Sequence, residues 1–284
     1  LLGASTLVSC AEDEPITQEK VETLYAEVVL ALEEGAQVHL AEPVPVIVLT
    51  ADEARERRIN YSKDLEDASG ITAGMDVLAD FVFSENMLGR YLPDEKVIYV
   101  IKDVVEAYSS KDPKGTEDFL FGIMAHELVH GYDDQTYGVM PLPSELFDLA
   151  GDPSMLPELQ ARMSLLEGRA TYASELACQA VQRESLPIPT VESAQETRVM
   201  KGGDPGQDAL AGVVNLVARA KMAQYAYGRN FAKEAYRFGG EKFFRHVFDS
   251  LPLSMAELED FERFRQRWAE EMIEKMEKEE VSSP

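Results

Sequence analysis

The sequence predicts an α+β fold, predominantly α-helical, with a small β-sheet confined to the first half of the chain. Three observations support this. Apolar residues recur at i, i+3 and i+4 over long stretches of both halves. Only two short β-branched runs occur, PVPVIVLT and VIYVI, both before residue 102. The 284 residues, 45% of them apolar, suffice for one sizeable core. There is no internal repeat, and the only biased stretches are the acidic residues 11–15 and the tail EKMEKEEVSSP. Residues 17–284 are therefore expected to form one domain, with a sheet-containing part over 17–135 and a helical part over 136–284.

Each element has its own signal. Thr17 to Glu34 places Val21, Leu24, Val28 and Leu32 on one helical stripe that stops at Gly35. Residues 43–50 are too short and too proline-bounded for a helix and read as a strand. Residues 51–83 read as two helical pieces broken near Gly70, and a second strand, Val97 to Ile101, follows a turn at Pro93-Asp94. Thr116 is expected to N-cap a helix whose Phe119, Leu120, Ile123, Met124 and Leu128 form a broad apolar face reaching Gly131. After a loop with Pro141, Pro143 and Pro153, a long helix runs from about Pro157 to Arg183. Residues 185–207 form a Pro- and Gly-rich loop. A helix from about Asp208 to Phe238 ends at Gly239-Gly240, where a left-handed cap is sterically free. Ser254 opens a capping box ahead of a last helix carrying Phe261, Phe264, Trp268 and Met272 as a core stripe.

Charge excludes some partners. With 52 acidic and 27 basic residues the formal charge is −25, which repels nucleic-acid backbones and anionic headgroups. No run of eighteen apolar residues exists to span a bilayer. The start, LLGASTLVSCAEDEP, is apolar up to Leu7-Val8-Ser9-Cys10 and then turns acidic. Those four residues resemble a bacterial lipobox, whose cysteine is lipidated after the preceding segment is removed. Residues 1–16 are thus expected to be a truncated lipoprotein signal and tether. The protein would be exported to the cell envelope and held at the outer membrane or cell surface by lipid on Cys10 alone. Such a lipid would leave Cys178 as the sole free thiol, excluding an intrachain disulfide; Cys178 itself reads as packing.

The chemistry concentrates in FGIMAHELVHGYDDQ, residues 121–135. At 3.6 residues per turn, His126 and His130 leave one helix face together and can present two nitrogens to one tetrahedral Zn2+. Glu127, about 100° around the helix, can take a proton from a zinc-activated water without binding the ion. A catalytic zinc needs a third protein ligand and one open position. His39 and His246 have no companion ligand at useful spacing. Glu167, in SLLEGRATYAS, lies on a predicted apolar helix face where a carboxylate needs a partner, and Gly168 beside it permits close helix approach. Glu158 and Glu175 sit nearer the helix ends, where solvation is easy.

HELVH followed by an EGxA glutamate resembles the gluzincin zinc metallopeptidases. More narrowly it is similar to bacterial proteins carrying AHELxHxxxDQ and EGxAT, matched here by Ala125 to His130, Asp134-Gln135 and Glu167 to Thr171. YAYGRNFAKEAYRFGG and LPLSMAEL extend the resemblance, which spans about residues 40–260. It implies a zincin-like fold, one Zn2+ per chain on His126, His130 and Glu167, Glu127 as base, and a peptide or protein substrate cut by an endopeptidase or aminopeptidase. It also makes Tyr227, rather than Tyr225, the hydroxyl donor to the oxyanion, and has VIYVI hold an extended substrate. Two departures stand out. Arg169 occupies a position where members of the set commonly have an acid, and Thr171 replaces an Asp that orients a histidine in many gluzincins. Asp134, one turn past His130, could do that orienting instead, or be simply a helix-end acid. Two rival readings remain: an inactive zinc-binding surface lipoprotein acting as a binding module, which Arg169 near the metal would favour, and a zinc-free helical lipoprotein.

Overall fold

The computed structural model of the protein describes residues 15–69, 87–109, 115–140, 156–186, 225–252 and 254–282. Cys10, the break at Gly70, the proline loop near 141–153, the loop after residue 186 and the helix start near Asp208 lie outside them.

Helix α1 (Gln18–Ala36) starts where Thr17 accepts the Lys20 N–H in an N-cap. It ends at Gln37, whose left-handed backbone (φ 57°) lets the Val38 N–H reach the Leu32 carbonyl at 3.2 Å. Gly35, expected to stop the helix, lies within it. A side chain there would strike the Leu176 carbonyl, so this glycine serves helix contact rather than termination.

A three-stranded sheet of order β1-β3-β2 follows, built from β1 (Val46–Leu49), β2 (Gly89–Leu92) and β3 (Val97–Ile101). β1 runs parallel to β3 with Val46 opposite Ile98; β2 runs antiparallel with Leu92 opposite Val97. All five residues of β3 are buried, as a central strand requires. β2 was not foreseen, because GRYL is short and carries Gly and Arg. The turn after it, in which Lys96 takes φ 54°, folds it back onto β3. Side chains occupy both outer edges. Gln18 donates to the Val46 carbonyl (2.8 Å) and accepts from the Val48 N–H (3.1 Å) on β1, while β2 faces the helix that carries the histidines.

Helix α2 (Ala51–Ser69) follows β1, and α3 (Lys102–Ser109), also unforeseen, follows β3 directly. The motif helix α4 runs Gly115–Tyr137. Thr116 does not cap it: the helix begins at Gly115 (φ 80°), and Thr116 is buried with its hydroxyl 2.9 Å from that of Ser109. Helix α5 (Leu156–Ala180) is followed by α6 over residues 225–239. Then come α7 (Glu241–Asp249), α8 (Met255–Glu259) and α9 (Phe261–Ser282). The last helix expected from Ser254 is thus split in two at Asp260.

Among the described residues there are two large apolar clusters, beside a small one of Leu92, Val97 and Tyr99 on the sheet. One joins α1, the sheet and α4 to the C-terminal half of α5 through Ala170, Ala173 and Ala177. The other joins Ala161, Leu165 and Leu166, from the N-terminal half of α5, to Phe231, Phe244 and Phe264. Helix α5 thus belongs to both, and Glu167 sits at their junction. The fold is α+β and predominantly helical, as the periodicities imply. Among the described residues no helix is long and apolar enough to cross a membrane.

Candidate metal centre

α4 is buried along most of its length, which is why its apolar pattern runs nearly all the way round. One turn apart on it, His126 and His130 bring their Nε2 atoms to 3.2 Å, with ring centroids 4.9 Å apart and planes at 81°. From α5, Glu167 Oε2 lies 3.2 Å from His126 Nε2 and 3.7 Å from His130 Nε2. The three ligand atoms lie within 4.8 Å of one another. Two imidazole lone pairs and a carboxylate oxygen aimed at one point repel unless a proton or a metal cation lies among them. This two-nitrogen, one-oxygen set suits a divalent transition metal.

The electrostatics agree. Burial alone would raise the Glu167 carboxyl pKa, but the two imidazoles outweigh it and hold the group well below the usual carboxylate range. Burial pulls His130 down, while Glu167, then Glu127 and Asp133, more than offset it, so the net shift is upward. Both directions describe a pocket that stabilises positive charge. Among the described residues, His130 Nδ1 is buried without a hydrogen-bond partner.

Glu127 stands outside this triad and is 8% exposed. Its Oε2 accepts the Tyr91 backbone N–H of β2 at 2.7 Å. β3, expected to hold an extended substrate, cannot do so, because β1 and β2 occupy both of its edges.

Tyr225, on α6, is the tyrosine at the site, its ring 6.2 Å from that of His126. Burial, and then the Glu167 and Glu127 carboxylates, push its hydroxyl pKa well above the ordinary value, so it stays a donor. Tyr227, which the resemblance favours, lies about 200° further round α6. Helical spacing explains the difference: Gly228 faces α5, where a Cβ would overlap the Ser164 carbonyl, and Tyr225 shares its face at i−3. Gly168 does permit close helix approach, but to Gly228 of α6 rather than to α4.

The remaining candidates have other partners. Glu175 holds Arg229, and Glu158 lies in the first turn of α5. His39 is exposed near Glu33, and His246 packs beside Trp268. Asp134, the proposed histidine orienter, accepts the Tyr91 hydroxyl at 2.7 Å. Gln135 accepts the Ala41 and Glu42 N–H groups and donates to the Glu42 carbonyl.

Arg169 is fully buried and engaged. Its guanidinium donates to Asp133 (2.7 Å) and to both oxygens of Glu241 (2.8 and 2.9 Å), and the same carboxylate accepts from Tyr132, Tyr137 and Tyr236. Gly240, at φ 65°, turns the chain so that Glu241 can enter this cluster. No local pattern signals it, since Glu241 lies far from Arg169 along the chain.

No protein-family profile matches the sequence, and no curated protein sequence matches it. Its fold is similar to that of a Chloroflexus aurantiacus protein whose crystal structure is described as "a putative hydrolase with a novel fold". The TM-score is 0.55 at 20% identity, over 89% of this chain and 92% of that one. At this identity the likeness extends to the fold alone.

Proposed function

We propose that the protein is a gluzincin-type zinc metallopeptidase with a zincin-like site, exported and lipid-anchored through Cys10. The carrying observation is the convergence of His126 Nε2, His130 Nε2 and Glu167 Oε2 beside Glu127. The fold neighbour, described as "a putative hydrolase", agrees in kind.

Zinc on these three residues would supply Lewis acidity toward a peptide carbonyl and its attacking water. Glu127, oriented by the Tyr91 N–H, accepts the proton of that water and passes it to the leaving amine. The Tyr225 hydroxyl, kept protonated, donates to the oxygen that gains charge as the carbonyl is attacked. Arg169 no longer favours an inactive module, because its charge is paired with Asp133 and Glu241.

Peptide-library cleavage by zinc-loaded protein, with a chelated control, tests the reading. Glu127→Gln should keep its zinc and lose at least about 100-fold in turnover. Equal cleavage by that variant would remove Glu127 from the mechanism.

A further inference from the structure

The residues following the second histidine, Gly131, Asp134 and Gln135, have no place among metal ligands or in the hydrolytic chemistry. Yet Glu127, Gly131 and Asp134 stand at i, i+4 and i+7, one stripe of α4. Tyr91 of β2 lies along that stripe and is bound at both ends. Its backbone N–H donates to Glu127 Oε2 at 2.7 Å, and its hydroxyl donates to Asp134 Oδ2 at 2.7 Å. Between them the ring passes over Gly131, where a Cβ would stand 3.4 Å from Tyr91 Cε2 and 2.9 Å from Val44 Cγ2. Tyr91 is 1% exposed. Gln135 fixes the segment at Ala41 and Glu42 that leads to Val44, so the packing on Gly131 is held from both sides. At the other end a Cβ on Gly89 would come 3.4 Å from Glu127 Cγ, so strand and base are in direct contact.

We infer that Tyr91 is a positioning residue for Glu127: its ring, seated on Gly131 and tethered to Asp134, sets the depth and register of the strand whose N–H aims the base. The inference rests on the proposed role of Glu127, but the clamp has an observable of its own. The aligned N–H of Tyr91 bonds a carboxylate, so its amide proton should resonate downfield and exchange slowly. Removing the hydroxyl tether frees the strand edge without touching a metal ligand or the base.

The test is amide NMR and hydrogen exchange at residue 91 in zinc-loaded protein. The variants are Tyr91→Phe, Asp134→Ala and Asp134→Asn, the last of which keeps an acceptor oxygen. Tyr91→Phe and Asp134→Ala should each speed exchange at that amide about tenfold and move its proton upfield, with Asp134→Asn near wild type. Zinc stoichiometry should not change. On a peptide cleaved by the wild type, kcat should fall about tenfold at constant KM in the first two variants and recover in the third. Wild-type exchange and shift at residue 91 in both Tyr91→Phe and Asp134→Ala would overturn the inference, as would equal loss in Asp134→Asn and Asp134→Ala. Should the protein hold no zinc and cut no peptide, the exchange data still decide the clamp, so the two failures are distinguishable.

Discussion

Two clusters of buried charge sit within two turns of each other along α4, and they are balanced in opposite ways. In the first, Asp133 and Glu241 surround Arg169, and the three tyrosine hydroxyls complete the hydrogen bonding of Glu241. The cation that this pair of acids requires is a side chain. In the second, two imidazoles and Glu167 converge, and the groups lower their energy by favouring a proton between His130 and Glu167. A buried anion must be compensated, and among the described residues a guanidinium does so in the first cluster while imidazoles do so in the second. The first is therefore read as a structural lock joining α4, α5, α6 and α7, the second as a receptor for an external cation.

The sharpest way to break this contrast is to remove the internal cation. Arg169→Met should strand two carboxylates in the core and cost about 3–5 kcal/mol in chemical denaturation. A loss below about 1 kcal/mol would mean that the lock is idle. Next in size is the external cation. At a free zinc level near 100 times its dissociation constant, the wild type should gain about 2.7 kcal/mol over the chelated protein, and His130→Ala should gain nothing. Equal gains would place the metal elsewhere.

A pH comparison sharpens the first cluster. Two acids share one guanidinium there, and burial raises the Asp133 carboxyl from 3.8 to about 6, against the pull of Arg169. The folded protein therefore binds this proton more tightly than the unfolded chain does. The associated stability is complete below pH 3.8 and is lost as pH rises through about 6. Asp133→Asn should remove that decline, on the order of 3 kcal/mol, so the slopes of stability against pH in this window should differ between variant and wild type. Parallel slopes would show that Asp133 does not titrate there. The smallest effect belongs to Arg183, which ties the segment just after α5 to Glu27, Glu117 and Asp118 at a partly exposed site. Arg183→Met should cost no more than about 1 kcal/mol, most visibly at low salt.

The two clusters were also unequally legible. The histidine pair and its glutamate could be read from residues 121–135, because a helix fixes which side chains share a face. Glu167 stood out as an acid on an apolar stripe. The partnership of Arg169 with Glu241 could not be read, because it depends on how α7 docks and on the turn at Gly240. The helices of the first core were visible from their periodicity. β2 was not, since four residues with no alternating pattern become a strand only through pairing with β3. Gly35 and Thr116 misled for a related reason: each matches a helix-end signal but is occupied by a tertiary contact. Tyr225 could have been chosen over Tyr227 by counting helical positions back from Gly228, had Gly228 been recognised as the contact with α5.

The central claim is that the second cluster holds one divalent metal ion. Elemental analysis of the purified protein, set beside a His126→Ala, Glu167→Ala double variant shown by circular dichroism to be folded, tests it most directly. One zinc per wild-type chain and none in the variant is the expected result; a metal-free wild type, or a variant that retains its zinc, would contradict the claim.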